Sequence, residues 1–141
     1  QVGNCGNMNY LISTHITTPF FVRQDLQDPV VGNGAIALGS NTREYGQLTY
    51  QALLALPNIG STAAEASNIN FTPGVYGPNC RQHVALLSDI WFLRSTVKDA
   101  SGKPVSFHDA LRTWLSGQPV LIVDTHPATL STCESTEPGG G

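Results

Sequence analysis

"TPFFVRQDLQDPVVG" (residues 18–32) decides how this chain folds. A short apolar run, Phe20-Phe21-Val22, is followed at once by polar residues that include Asp25 and Asp28. Aromatic and β-branched residues in a run this short predict a buried strand, with Pro19 confined to its start. In open α/β sheets, functional groups collect just beyond the carboxyl ends of strands. The two aspartates stand at such a place.

Outward from that stretch, the same pattern recurs. "NINFTPGVY" (68–76) alternates Ile69, Phe71 and, past Pro73, Val75, which predicts a second strand emptying into a loop that carries His83. Between them, Asn41–Leu56 reads as a helix. Asn41 caps it, Glu44 follows three residues on as in a capping box, and Tyr45, Leu48, Ala52 and Leu56 form a stripe, with Pro57 and Gly60 closing it. "SFHDALRTWLSG" (106–117) is the clearest helix: Ser106 caps, Asp109 stands three further on, and Phe107, Ala110, Leu111, Trp114 and Leu115 line one face before Gly117. "PVLIVD" (119–124) is another apolar run. Strand, helix, strand, helix, strand predicts an α/β fold, a mostly parallel sheet flanked by helices. One domain is expected over residues 1–133, with 134–141 of "STCESTEPGGG" as a flexible polar tail.

Composition narrows the function. The chain has 141 residues, 40% of them hydrophobic, which suits a single core. Only 12% are charged, about half the usual share of roughly 25%. Seven basic residues against ten acidic give −3 with no basic stripe, so a nucleic-acid surface is not written here. No apolar run approaches the roughly twenty residues of a bilayer span. Two lysines, 14 glycines, 9 prolines and many Ser, Thr and Asn suggest an exported protein, secreted or periplasmic. Three cysteines are too few for a disulfide scaffold, and their odd number leaves one without a partner inside the chain. Asn70-Phe71-Thr72 is a glycosylation sequon, a short pattern that arises often by chance.

The chemistry-bearing order is an acid after one strand and His83 after the next. That is the order of α/β-hydrolase triads, in which a buried carboxylate accepts the Nδ1 proton of the imidazole, fixes its tautomer and supports the charge it acquires as base. Asp25 and Asp28 compete for the acid role, since strand ends shift by a few residues. A zinc reading of Cys80-x-x-His83 lacks any H-x-x-x-H or C-x-x-C partner, and no metal is expected. His108 is expected on an exposed helix turn, and His15 and His126 in loops. Trp91, Phe92 and Trp114 read as core, with Trp91 or Phe92 as an alternative wall beside His83.

Residues 5–133 resemble the C-terminal part of the pectin acetylesterase family, which includes the Notum carboxylesterases. The matching pieces are "NCGN", "TPFFVRQDLQD", "NCRQH", "LSDIWF", "SFHDALRTWL" and "STC", in the family's order and rough spacing. No one piece is specific; six in order carry the resemblance. It implies an α/β-hydrolase fold, Asp28 as the catalytic acid and His83 as the base. It also implies a Cys80–Cys133 disulfide, leaving Cys5 to pair outside the chain or stay free. The family's aromatic residue before the acid is Gln27 here, Pro29 follows it, and the closing segment has fewer cysteines.

What is missing matters as much. No serine stands in Gly-x-Ser-x-Gly or in the family's Gly-Cys-Ser-Ala-Gly-Gly, and Gly39-Ser40-Asn41, the nearest approach, reads as a helix start. No Gly-rich oxyanion loop is present either. The expectation is therefore half of an active site, with an N-terminal chain of the same precursor supplying the nucleophilic serine and oxyanion hole. The expected activity is a carboxylesterase needing no cofactor, acting on acyl esters, with acetyl groups on a polysaccharide implied by the resemblance. Two alternatives stay open: a hydrolase of the same fold acting on a lipid, polyester or acylated protein, and a non-catalytic binding module.

Overall fold

A computed structural model describes residues 8–32, 42–66, 72–81, 83, 86 and 89–124. In chain order the elements are helix α1 (Met8–His15), strand β1 (Phe21–Arg23), helix α2 (Thr42–Ala66), strand β2 (Gly74–Gly77), a π-helical turn (Ile90–Arg94), strands β3 (Thr96–Lys98) and β4 (Pro104–Ser106), helix α3 (Phe107–Leu115) and strand β5 (Leu121–Val123). β1, β2 and β5 form a parallel sheet in that order. Parallel neighbours need a crossover between them, and α2 lies in the first and α3 in the second. β3 and β4 form a separate antiparallel pair.

Strand alternation sorts the core into two clusters, one on each face. Val22, Val75 and Val123 point one way, into Ile12 of α1 and Leu53 and Leu56 of α2. Phe21, Tyr76 and Ile122 point the other way, into Val97, Phe107 and Ala110 under α3. The result is an α/β arrangement with helices on both faces of a small parallel sheet, and β2 at its buried centre.

Several expectations are corrected. Pro57 does not close the second helix: α2 runs on to Ala66 with Pro57 inside it. An interior proline loses one helical hydrogen bond and crowds the preceding turn, at about 3 kcal/mol. The apolar face that continues through Leu53, Leu56 and Ile59 against the sheet offsets that cost. Leu48, expected in the buried stripe, is 55% exposed, because the face that meets the sheet centres on Leu53, Leu56 and Ile59. Likewise Leu115 points to solvent at the end of α3. His15 is not in a loop but ends α1, its ring edge-on to Tyr10. β2 begins only at Gly74; Asn41, Ile69, Phe71 and His126 lie outside the described residues.

α3 forms as its sequence predicts. Ser106 Oγ accepts from Asp109 N and donates to Asp109 Oδ2, so the cap is reciprocal. At the other end Gly117 takes φ +87°, a conformation open mainly to glycine. His108, on its first turn, is partly covered by an edge contact with Phe92, and Phe92 itself packs on Phe107 in the core.

Candidate functional site

Asp28 and His83 come together beyond the carboxyl ends of β1 and β2. The two strands pair in register from Phe21–Gly74 to Arg23–Tyr76. Their loops then stay side by side, because the backbone ladder continues: Gln24 N donates to Tyr76 O at 3.2 Å, Leu26 N to Pro78 O at 2.9 Å and Gln27 N to Cys80 O at 3.1 Å. Leu26 is fully buried and anchors the first loop in the core.

Asp28 begins a helical turn over residues 29–32. Its Oδ1 accepts from Val30 N at 2.9 Å and from Val31 N at 3.2 Å, and Gly32 N donates to Asp28 O at 2.8 Å. Pro29 occupies the first helical position, where the missing N–H is no loss and the ring's fixed φ is already right. The residue that departs from the family pattern thus serves the cap.

The other carboxylate oxygen faces the histidine. His83 Nδ1 lies 2.9 Å from Asp28 Oδ2 and 3.1 Å from Oδ1. Asp28 is 4% exposed, whereas the His83 side chain is 45% exposed. Burial, the largest influence, pushes the Asp28 carboxyl upward. Hydrogen bonds from His83, Val31, Val30 and Gln24 together outweigh it and hold the group below the ordinary aspartate value. An ionised carboxylate only accepts, so Nδ1 carries the shared proton, and in the neutral ring Nε2 is then the acceptor.

Asp25, the competing acid, is already engaged. Arg23 Nε donates to its Oδ1 at 3.0 Å and Arg23 Nη2 to its Oδ2 at 3.4 Å. Both side chains are buried, and the guanidinium lies over the rings of Phe107, 5.1 Å, and Tyr76, 5.9 Å, on the α3 side of the sheet. The signal for this was local: residues 23 and 25 project to the same side of an extended segment.

Three residues to which the sequence reading gave no role in the site complete the surroundings. Gln27 Nε2 donates to Asn79 Oδ1 at 2.7 Å, joining the two loops. Gln24 Nε2 reaches Asp28 Oδ2 at 3.3 Å. Nothing in the local sequence marks these amides, since their partners are set by the fold. Cys80 is buried near Ser95, Sγ to Oγ 3.9 Å; Cys5 and Cys133, and with them the expected Cys80–Cys133 bridge, lie outside the described residues. The Trp91 side chain, a suggested wall beside His83, is also outside them.

Among the described residues, no group of three or more His, Cys, Asp or Glu could hold a metal ion, and no helix is long and apolar enough to cross a membrane. No family model, curated protein or solved structure matches the chain. The family resemblance thus stands on its sequence motifs.

Proposed function

We propose that Asp28 and His83 are the acid and base of a serine carboxylesterase of the α/β-hydrolase type. The observation that supports this most is the 2.9 Å contact between His83 Nδ1 and a buried Asp28 carboxylate, at the carboxyl ends of adjacent parallel strands. His83 Nε2 would take the proton of a serine hydroxyl as that oxygen attacks the ester carbonyl. Asp28 would stabilise the imidazolium, which then returns the proton to the departing alkoxide. Water repeats the sequence on the acyl-enzyme. None of the serines in the 141 residues stands in a nucleophile motif. The serine and the oxyanion donors would come from a second polypeptide portion, joining the sheet beside β1, which is at the sheet's edge among the described residues. By the resemblance, the substrate would be an acyl ester, an acetyl group on a polysaccharide.

Co-expression of residues 1–141 with the portion encoded just upstream tests this reading. The complex should hydrolyse p-nitrophenyl acetate and be labelled by a fluorophosphonate. His83→Ala should lower kcat on the order of 10⁶-fold, and Asp28→Asn on the order of 10⁴-fold, with folding retained. Turnover at the wild-type rate in His83→Ala would end the proposal.

A further inference from the structure

We propose that Gln24 is a positioning residue for the Asp28–His83 pair, holding the Asp28 carboxylate at the rotation in which Oδ2 meets His83 Nδ1. The carboxylate has one oxygen fixed and one less so. Val30 N and Val31 N hold Oδ1, while Oδ2 takes Gln24 Nε2 and the shorter arm of the His83 Nδ1 contact, which reaches Oδ1 as well at 3.1 Å. Rotation of a carboxyl group about its last bond is soft, so donors on both oxygens are needed to define it. The histidine cannot serve alone as the reference, because a base changes charge during its own work. An amide donor does not titrate, and it keeps the same pull on Oδ2 whether the ring is neutral or protonated.

Gln24 is itself braced. Its Nε2 has two hydrogens, and besides the one toward Asp28 Oδ2 the other is shared between Asp25 O at 3.2 Å and the Tyr45 hydroxyl on α2 at 3.4 Å. Tyr45 in turn lies against Gly32, where an added Cβ would sit 3.4 Å from its ring. The same tyrosine therefore supports the amide and the helical turn that Asp28 caps. Burial, then the nearby charges of Asp28 and Asp25, push the Tyr45 phenol upward, so it stays protonated beside the site. The groups around Asp28 are then His83 from the β2 loop, Tyr45 from α2, and the Arg23–Asp25 pair from its own segment.

The effect on turnover rests on the catalytic reading; the contact itself does not, so two measurements separate them. The first follows the Asp28 carboxyl and the His83 Nδ1 proton by NMR in the full chain. Gln24→Leu and Tyr45→Phe should shift the Nδ1 signal and raise the midpoint of the Asp28 carboxyl, and Gln24→Glu should raise it further by placing a like charge beside it. The second follows ester hydrolysis in the complex. Gln24→Leu should lower kcat about tenfold with KM unchanged, and Gln24→Glu should move the acid limb of the pH profile upward. NMR signals identical to wild type in Gln24→Leu and Tyr45→Phe would overturn the proposal. So would unchanged hydrolysis in Gln24→Leu where His83→Ala is inactive. NMR shifts as expected, with turnover indifferent to both Gln24 and His83, would uphold the positioning contact and sink the catalytic reading instead.

Discussion

Gln27 and Asn79 are 52 residues apart in sequence, and their side-chain amides meet at 2.7 Å. Asn79 is 1% exposed, so this hydrogen bond is made where water cannot replace it. It clasps the loop that carries Asp28 to the loop that carries His83.

Asn79→Ala should therefore cost about 1–3 kcal/mol in urea unfolding, the usual penalty when a buried hydrogen bond loses one partner. Gln27→Ala should cost less than Asn79→Ala, and the double variant less than the sum, by about 0.5 kcal/mol or more. Strict additivity would show that the two amides do not act together.

Asp28 makes stability depend on acid in a definite direction. Its folded-state carboxyl sits below the ordinary value, so the unfolded chain binds its proton first as pH falls. The stabilisation is complete above the ordinary aspartate range and is lost as pH drops through the lowered folded value. Asparagine caps a helix as well as aspartate does, so Asp28→Asn keeps the cap and removes the charge together with the acceptor for His83 and Gln24. Denaturant midpoints of the two proteins should converge as pH falls through that window; parallel curves would refute the linkage.

How much of this was open to sequence reading depended on whether the cause was local. α3 was legible because its cap, Ser106 with Asp109, and its terminator, Gly117, lie within the segment itself. Runs of apolar residues likewise marked β1 and β5. α1 was not, because "MNYLISTH" is short and ends in polar residues, and Ile12 gains its burial only from packing with α2 and the sheet. The passage of α2 through Pro57 was hidden for the same reason: proline marks a local cost, while the offsetting contacts of Leu53, Leu56 and Ile59 are tertiary. At the site, the pairing of Asp28 with His83 was expected from chain order and from the spacing in the family the motifs resemble. Gln24, Gln27 and Asn79 did not, since an amide in a loop carries no sign of its partner.

Gly77 offers a test of how tightly β2 is enclosed. A Cβ there would lie 2.6 Å from Leu53 Cδ1 and 2.9 Å from Val123 Cγ1, closer than real contacts allow. Gly77→Ala should cost about 1–3 kcal/mol through displacement of both side chains. Thermal unfolding of Gly77→Ala matching wild type would mean that α2 and β5 can yield without penalty.

For the cysteines, the expected pairing is Cys80 with Cys133. A bridge closing that loop of about fifty residues would be worth roughly 4 kcal/mol in the chain-entropy model. Non-reducing peptide mapping should recover the two in one fragment, and Cys133→Ser should lower Tm. A Cys5–Cys80 fragment would replace this scheme.

Arg23 has a consequence for how the chain avoids threading itself wrongly. On one side of the sheet its guanidinium has Tyr76, Phe107 and Asp25 to receive it; on the other side stand Ile12, Leu53 and Leu56. Sliding β1 by one residue along β2 would exchange the two sides, carrying Arg23 and its partner Asp25 together into aliphatic surroundings, away from the Tyr76 and Phe107 rings. One arginine thus acts as a proofreader of strand parity, since the competing register would set its charge among aliphatic side chains.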